Sequence, residues 1–315
     1  LCLGTMNFGE PGRGHQGDWT LGSDDARPIF QAAIEHGVNY FDCADIYGVG
    51  ASEIVVGQLL KELLPRDEYA LTTKVSMPMG RAPNQGGLSR KHIMEGVDQS
   101  LKRLGHDYVD QLIIHRHPHG IPGLAQTPIE ETMEALHDVV KAGKARYIGA
   151  SSMWAWQFSK AQYVAEQHGW TKFISMQNHY NLLNREEERE MMPLCVDQGV
   201  GVIPWSPLAR GRLTRDWDNA TSRSETDEFG KGLYKPEDQV IVERVAEVAR
   251  ELGAPRAQVA LAWVLSKPFV TSPIVGATKD AHIDDAIAAC ELQLSAEHIA
   301  RLEEPYTPHE SVGFL

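Results

Sequence analysis

No apolar run in the 315-residue chain approaches the ~20 residues needed to cross a bilayer, so no membrane span is expected. Cysteine is scarce: Cys2, Cys43, Cys195 and Cys290 show no paired spacing. The first three lie in apolar runs or predicted elements and read as buried thiols of a protein kept in a reducing cytosol. Positive charge is also short, with 30 Lys+Arg against 43 Asp+Glu and a formal net charge of -13. Such a surface argues against nucleic acid or an anionic membrane as partner. It leaves room for an anionic cofactor held by local basic residues. There is no low-complexity linker, so residues 1–315 are expected to form a single domain. No signal peptide and no Met precede Leu1-Cys2-Leu3-Gly4, which begins inside an apolar run and implies a segment ahead of it.

What is present is a repeat of apolar run, polar loop and helix. Eight continuous runs read as buried strands: residues 1–3, 38–41, 69–74, 108–114, 146–150, 173–176, 200–204 and 270–275. Helices are predicted over 24–36, 89–104, 156–168, 185–198, 237–252, 257–266 and 281–289, with one more ending at Gly143. That last helix is expected to start with Thr127 as N-cap, Pro128 in the first turn and Glu130 closing a capping box. Alternating strands and helices in this number predict a closed (β/α)8 barrel of the TIM type, whose chemistry sits at the C-terminal ends of the strands. A long polar loop over 214–234 follows strand seven and reads as a lid.

Four polar residues stand on that rim. Asp42 ends strand two and Tyr47 lies in its loop; Lys74 ends strand three and His115 ends strand four. Asp42 and Lys74 alone could be a structural ion pair, but buried pairs are a poor way to gain stability. Beside a tyrosine they make a proton-donating site. A neighbouring ammonium lowers a phenol's pKa from its usual value of about 10, and a carboxylate can hold that ammonium in place.

Other motifs carry less. His115-Arg116-His117-Pro118-His119 also suits a divalent metal, with His179 as a further ligand. It falls on strand four, however, and strand eight ends without the Asp that a metal-hydrolase barrel needs, so no metal is expected. His117 and His119 read as loop residues. Gly48-Val49-Gly50-Ala51-Ser52-Glu53 imitates a dinucleotide-binding glycine loop but has Glu53 where the third glycine belongs. Gly276-Ala277-Thr278-Lys279-Asp280 opens a helix after strand eight and suits a phosphate, through unpaired N–H groups and the helix dipole. Trp205 could stack on a planar ring. Arg210 and Arg212 flank Gly211, where backbone can approach a pyrophosphate. Ser151, Ser152 and Gln177 could hydrogen-bond an amide of the same ring.

With these residues in place the chain resembles the aldo-keto reductases over essentially its whole length. The family's Asp, its Tyr five residues on, and the Lys and His of the next two strands match Asp42, Tyr47, Lys74 and His115. The segments Lys144 to Ser152, Trp205 to Arg215 and Glu304 to His309 look most like a bacterial branch of aldehyde reductases. The family's N-terminal hairpin is not in this sequence. The resemblance implies nicotinamide carboxamide contacts from Ser151, Ser152 (usually Asn) and Gln177, and ring stacking on Trp205. It implies further cofactor contacts from Thr5, Met6, Asp42, Ser206, Leu208, Arg210 and Gly211. Gly276, Thr278, Lys279 and His282 would meet the 2′-phosphate, and Asp285 the adenine. The implied activity is NADPH-dependent reduction of small aldehydes, dicarbonyls or sugar-type carbonyls, with Tyr47 as general acid. Phe8, Trp19, Tyr47 and His115 would wall the substrate pocket. The alternative implied by the same resemblance is an NADPH-binding regulatory subunit similar to potassium-channel β subunits, which a stable complex with a membrane protein would distinguish.

Overall fold

A computed structural model describes residues 1–14, 19–118, 124 and 126–310. Eight parallel strands form its centre: β1 (Cys2–Gly4), β2 (Tyr40–Asp42), β3 (Ala70–Val75), β4 (Val109–Ile114), β5 (Ala145–Ser151), β6 (Phe173–Gln177), β7 (Gly201–Val202) and β8 (Ile274–Gly276). Their order is β7-β6-β5-β4-β3-β2-β1-β8. Backbone bonds close the ring between its two ends, from Thr271 N–H to the Val202 carbonyl (2.8 Å) and from Ile274 N–H to the Pro204 carbonyl (2.8 Å). The (β/α)8 barrel predicted from the eight apolar runs is therefore the fold.

The outer layer comprises α1 (Ser23–Glu35), α2 (Ala51–Leu63), α3 (Arg90–Leu104), α4 (Ile129–Lys141), α5 (Ala155–His168), α6 (Met191–Asp197), α7 (Ser222–Thr226), α8 (Glu228–Lys231), α9 (Gln239–Leu252), α10 (Arg256–Leu265), α11 (Asp280–Glu291) and α12 (Ala296–Glu303). Helix α1 buries Ala26, Ile29, Phe30 and Ala33, the i, i+3, i+4, i+7 stripe of a helix lying on a core. Helix α3 starts where expected: Ser89 accepts from the His92 N–H, and Gly105, at φ 66°, ends it.

Three expectations need correction. Helix α4 begins one residue late, with Pro128 rather than Thr127 as its cap and no side-chain cap bond, so the capping box does not form. The helix expected over 185–198 divides into a 3-10 turn at Glu186–Glu188 and the short α6. Pro193 donates no N–H and fits best in a first turn, and the helix restarts just ahead of it. The stretch 214–234 is not plain loop, because it carries α7 and α8.

Alternation along the strands sorts the side chains. Phe41 faces outward and stacks on Phe30 of α1 at 5.6 Å. Its neighbours Tyr40 and Asp42 face inward. Below the rim the barrel is filled by a polar layer: Tyr40 OH donates to Gln111 Oε1 (3.1 Å), and Gln111 Nε2 donates to Ser175 Oγ (2.7 Å).

Helices α2 and α3 pack with backbone close to backbone. A Cβ at Gly57 would stand 2.1 Å from the Leu104 carbonyl oxygen. In a free helix Gly→Ala gains roughly 0.5–1 kcal/mol. Here Gly57→Ala is expected to lose about 1–3 kcal/mol, because a backbone carbonyl cannot step aside. Urea unfolding checks this, and an unchanged or raised midpoint would show that the helices can separate at no cost.

Candidate active site

Inward alternation brings Asp42, Lys74, Ser151 and Gln177 to one level at the C-terminal rim. The Lys74 and Asp42 side chains are 1% and 3% exposed. Burial of two charges is tolerated only when each is fully bonded. Lys74 Nζ donates to Asp42 Oδ2 (2.6 Å), the Cys43 carbonyl (2.7 Å) and Tyr47 OH (3.4 Å), which uses all three ammonium hydrogens. The second Asp42 oxygen, Oδ1, accepts from Gln177 Nε2 at 2.7 Å across the barrel.

Tyr47 sits on a tight turn. Gly48, Val49 and Gly50 all have positive φ (56°, 49° and 88°), a rare state for β-branched Val49. Outer contacts brace the turn. A Cβ at Gly50 would stand 2.4 Å from Arg103 Cδ. Arg103 is pinned by Glu53 (2.5 Å), which also accepts from Thr73 Oγ1 (2.5 Å) beside Lys74. The Gly48–Glu53 stretch is thus the hinge of the tyrosine loop and the start of α2. His115 meets Tyr47 edge-on, with ring centres 5.7 Å apart.

Burial dominates the electrostatics. It raises the Tyr47 pKa, and the lowering influence of Lys74 does not overcome it. The expectation that the ammonium brings the phenol's pKa down is corrected in its net direction. Burial, then the Lys74 and Arg116 charges, hold His115 well below its usual value, so the imidazole is neutral. Its Nδ1 is buried without a partner among the described residues. Burial lowers Lys74, but Asp42 and Tyr47 more than offset it, so the ammonium stays charged.

The surroundings suit a nicotinamide carboxamide. With Gln177 Nε2 committed to Asp42, Gln177 Oε1 accepts from no described residue and can take an amide N–H. Ser152 Oγ accepts from Trp205 Nε1 (3.0 Å), leaving its hydroxyl hydrogen to donate. Ser151 is more committed, donating to the Gln177 carbonyl (3.0 Å) and accepting from Arg116 Nη1 (3.1 Å). Trp205 is half-buried and stacks on His179 with centres 4.2 Å apart.

The remaining site residues divide. Thr5 is fully buried and spends its hydroxyl on the Asp42 carbonyl (2.9 Å), where it holds the strand end. Phe8 does not line the rim: it is buried against Phe30 of α1 (5.2 Å), in the layer between barrel and helix. Met6, Trp19, Ser206, Leu208 and Gly211 are half-buried. Arg210 lies 2.6 Å through Nε from Asp227, the cap of α8, which ties the 214–234 segment to the strand-seven loop. Beyond β8, Lys279 is exposed and caps α11. His282 Nδ1 already accepts the Thr278 N–H (3.2 Å), and Asp285 accepts from Gln258 (2.9 Å), so two groups of this turn are engaged internally. His117 lies 3.2 Å from Gln157 Nε2, and His119 falls outside the described residues.

Sequence reading missed the support behind Trp205. His179 Nε2 accepts from Asn181 Nδ2 (3.2 Å) and lies 3.0 Å from Tyr234 OH. Asn181 also donates to the Ser206 carbonyl (2.9 Å). His179 and Asn181, two apart after strand six, give a parity signal; Tyr234, 53 residues beyond Asn181, gives none.

Comparison with known proteins adds an independent line. The sequence model of the Aldo/keto reductase family matches residues 1–306. The chain is 44% identical over 331 residues to a versiconal hemiacetal acetate reductase of Aspergillus parasiticus, covering 98% of this chain and 93% of that protein. It is 44% identical over 340 residues to a Schizosaccharomyces pombe protein provisionally named an aryl-alcohol dehydrogenase (98% and 92% covered). It is 41% identical over 339 residues to an aldo-keto reductase of Alternaria alternata (99% and 89%). These relatives are fungal, so the resemblance to a bacterial branch gains no support from them.

Burial, then Arg210 and Arg116, bring the His179 pKa down to about 3. Unfolded histidine titrates near 6.5, so below that pH the unfolded chain binds a proton that the folded chain refuses. Stability is therefore expected to fall as the pH drops from 6.5 towards 3, by about 2 kcal/mol at pH 5 from this residue. His179→Gln should be less stable at pH 7.5 yet lose about 2 kcal/mol less than wild type on going to pH 5. Urea titrations at the two pH values measure this, and parallel losses would mean that His179 accepts its proton in place.

Proposed function

The chain belongs to the aldo/keto reductase family, and from that premise we propose that it is an NADPH-dependent carbonyl reductase with Tyr47 as general acid. The observation that supports this most is the bonding of Lys74. Because the ammonium donates to the Tyr47 oxygen, the phenolic hydrogen is left to point towards a substrate. The raised Tyr47 pKa keeps that hydrogen in place at neutral pH. When bound, the nicotinamide supplies a hydride for the carbonyl carbon. Tyr47 gives its proton to the carbonyl oxygen, and neutral His115 orients that oxygen. Lys74 then stabilises the phenolate left behind, and Asp42 keeps Lys74 aimed. Gln177, Ser152 and Ser151 would hold the carboxamide, and Trp205 the ring face. Arg210 and Gly211 would meet the pyrophosphate, and the Gly276–Lys279 turn the 2′-phosphate. The substrates are aldehydes and ketones, and the names of the relatives favour aryl carbonyls among them over the regulatory-subunit alternative. We place the activity in one domain over residues 1–315, in the cytoplasm.

Tyr47→Phe is expected to reduce turnover by roughly 10²-fold or more, the usual weight of general acid catalysis. Its NADPH dissociation constant should stay within about twofold, since the hydroxyl meets substrate and not cofactor. Near-normal aldehyde turnover by this variant would remove Tyr47 from the mechanism.

NADPH is expected to bind more tightly than NADH, because exposed Lys279 can pair with the 2′-phosphate. A charge-assisted contact is worth about 1.5–3 kcal/mol. With the Thr278 N–H engaged by His282 and Asp280 close by, the preference should be near the lower end, about tenfold. Lys279→Ala should shrink it and leave NADH binding nearly unchanged. Fluorescence titrations of both cofactors test this; equal losses for the two would exclude a phosphate-reading role.

A further inference from the structure

Among the described residues, three Lys and Arg cations act on the cluster of Tyr47, His115 and His179. Lys74 is paired with Asp42 and Arg210 with Asp227. Arg116 is different: among the described residues it has no carboxylate partner. Only its Nη1 is engaged, donating to the His115 carbonyl (2.7 Å) and to Ser151 Oγ (3.1 Å). Nε and Nη2 donate to no described residue. These two nitrogens form the side-on edge of the guanidinium, the edge that matches a carboxylate with two parallel bonds. The group is held in place rather than swinging free. Ser76 Oγ donates to the Arg116 carbonyl (2.7 Å), and the guanidinium carbon lies 5.3 Å from the Trp205 ring centre. Burial brings its pKa down to about 10, so it is charged at neutral pH.

A part-buried guanidinium with an open fork, one residue from His115, is costly to keep unless something uses it. A chain of net charge -13 repels anions as a whole, so an anionic substrate would need a local cation of this kind. We propose that Arg116 is the recognition cation of the substrate pocket, and that the protein prefers carbonyl compounds carrying a carboxylate, which the Nε–Nη2 edge holds side-on. The inference deepens the reductase reading and rests on it.

The test compares 4-formylbenzoate with its methyl ester, and the 3-isomers likewise, each with NADPH. The pairs share ring and reacting carbonyl and differ in charge. Wild type is expected to favour the carboxylate by tenfold or more in kcat/KM, mainly through KM. In Arg116→Met that ratio should collapse to one or below, whatever the absolute rate. Arg116→Lys, which keeps the charge and loses the fork, should retain part of it. A wild type indifferent to the carboxylate overturns the proposal, with no need for either variant to fold. An unchanged ratio in Arg116→Met overturns it as well, and weakened NADPH binding there would assign the arginine to the cofactor instead. If wild type reduces none of the aldehydes, the reductase reading has failed. Arg116 is then judged by tryptophan-fluorescence titration of carboxylate against ester, and equal affinities sink it.

Discussion

A charged lysine inside a barrel is the constraint on which the rest of this site depends. Lys74 is almost wholly enclosed, and an ammonium in that position survives only with three acceptors and a counter-charge. The strand ends supply them: a carboxylate from β2, the carbonyl that follows it, and the phenol of the next turn. Each acceptor is then fixed by something farther out. Gln177 on β6 saturates the free oxygen of Asp42. Thr5 after β1 holds the Asp42 backbone. The Arg103–Glu53–Thr73 contacts on the outer wall brace the tyrosine turn and the strand that carries Lys74. The barrel is thus a device for aiming one ammonium, and the phenol takes its orientation from that ammonium.

Much of this was legible in the sequence, for a physical reason. Buried parallel strands are continuous apolar runs, so the polar residues that interrupt their ends stand out. Asp42, Lys74, His115 and Gln177 were found in that way, and all eight strands fall within the predicted runs or one or two residues beyond them. Helix ends were legible where side chains or glycines fix them, as at Ser89 and Gly105. Pro128 misled because proline suits both the cap and the first turn, and the two readings differ by one residue. Phe8 misled because an aromatic near the rim can face either the mouth or the helix layer, and only packing against Phe30 decides. The sign of the Tyr47 shift could not be read either. It depends on how completely the phenol is enclosed, which no local pattern encodes.

The segment after strand seven was read by its length and polarity, and its connections are what the sequence hid. Asp227 reaches Arg210, Phe229 lies 6.3 Å from the Trp205 ring centre, and Tyr234 meets His179. These contacts join residues that stand far apart in the chain, and every one of them ends on a group beside the expected cofactor position. On the proposed cofactor reading, Arg210 has one guanidinium to share between Asp227 and a pyrophosphate. Any phosphate that takes the arginine therefore competes with the tie that holds α8 down.

Charge balance around the mouth brings these features together. Of Lys74, Arg210 and Arg116, the first two are neutralised by carboxylates, and the third has no carboxylate partner among the described residues. That uncompensated charge acts on its neighbours: with burial and Lys74 it keeps His115 neutral, and with burial and Arg210 it keeps His179 neutral. A neutral imidazole beside the phenol can orient a carbonyl oxygen without competing to protonate it, which is the division of labour the proposed mechanism requires, with Tyr47 as its acid. Burial is the larger cause of both neutral imidazoles and the arginine's charge adds to it, while its Nε–Nη2 edge is the part to which we assign the proposed binding role. The two effects have one origin, because a fixed positive charge both repels a proton and attracts an anion, and that is the ground on which the proposed carboxylate recognition stands.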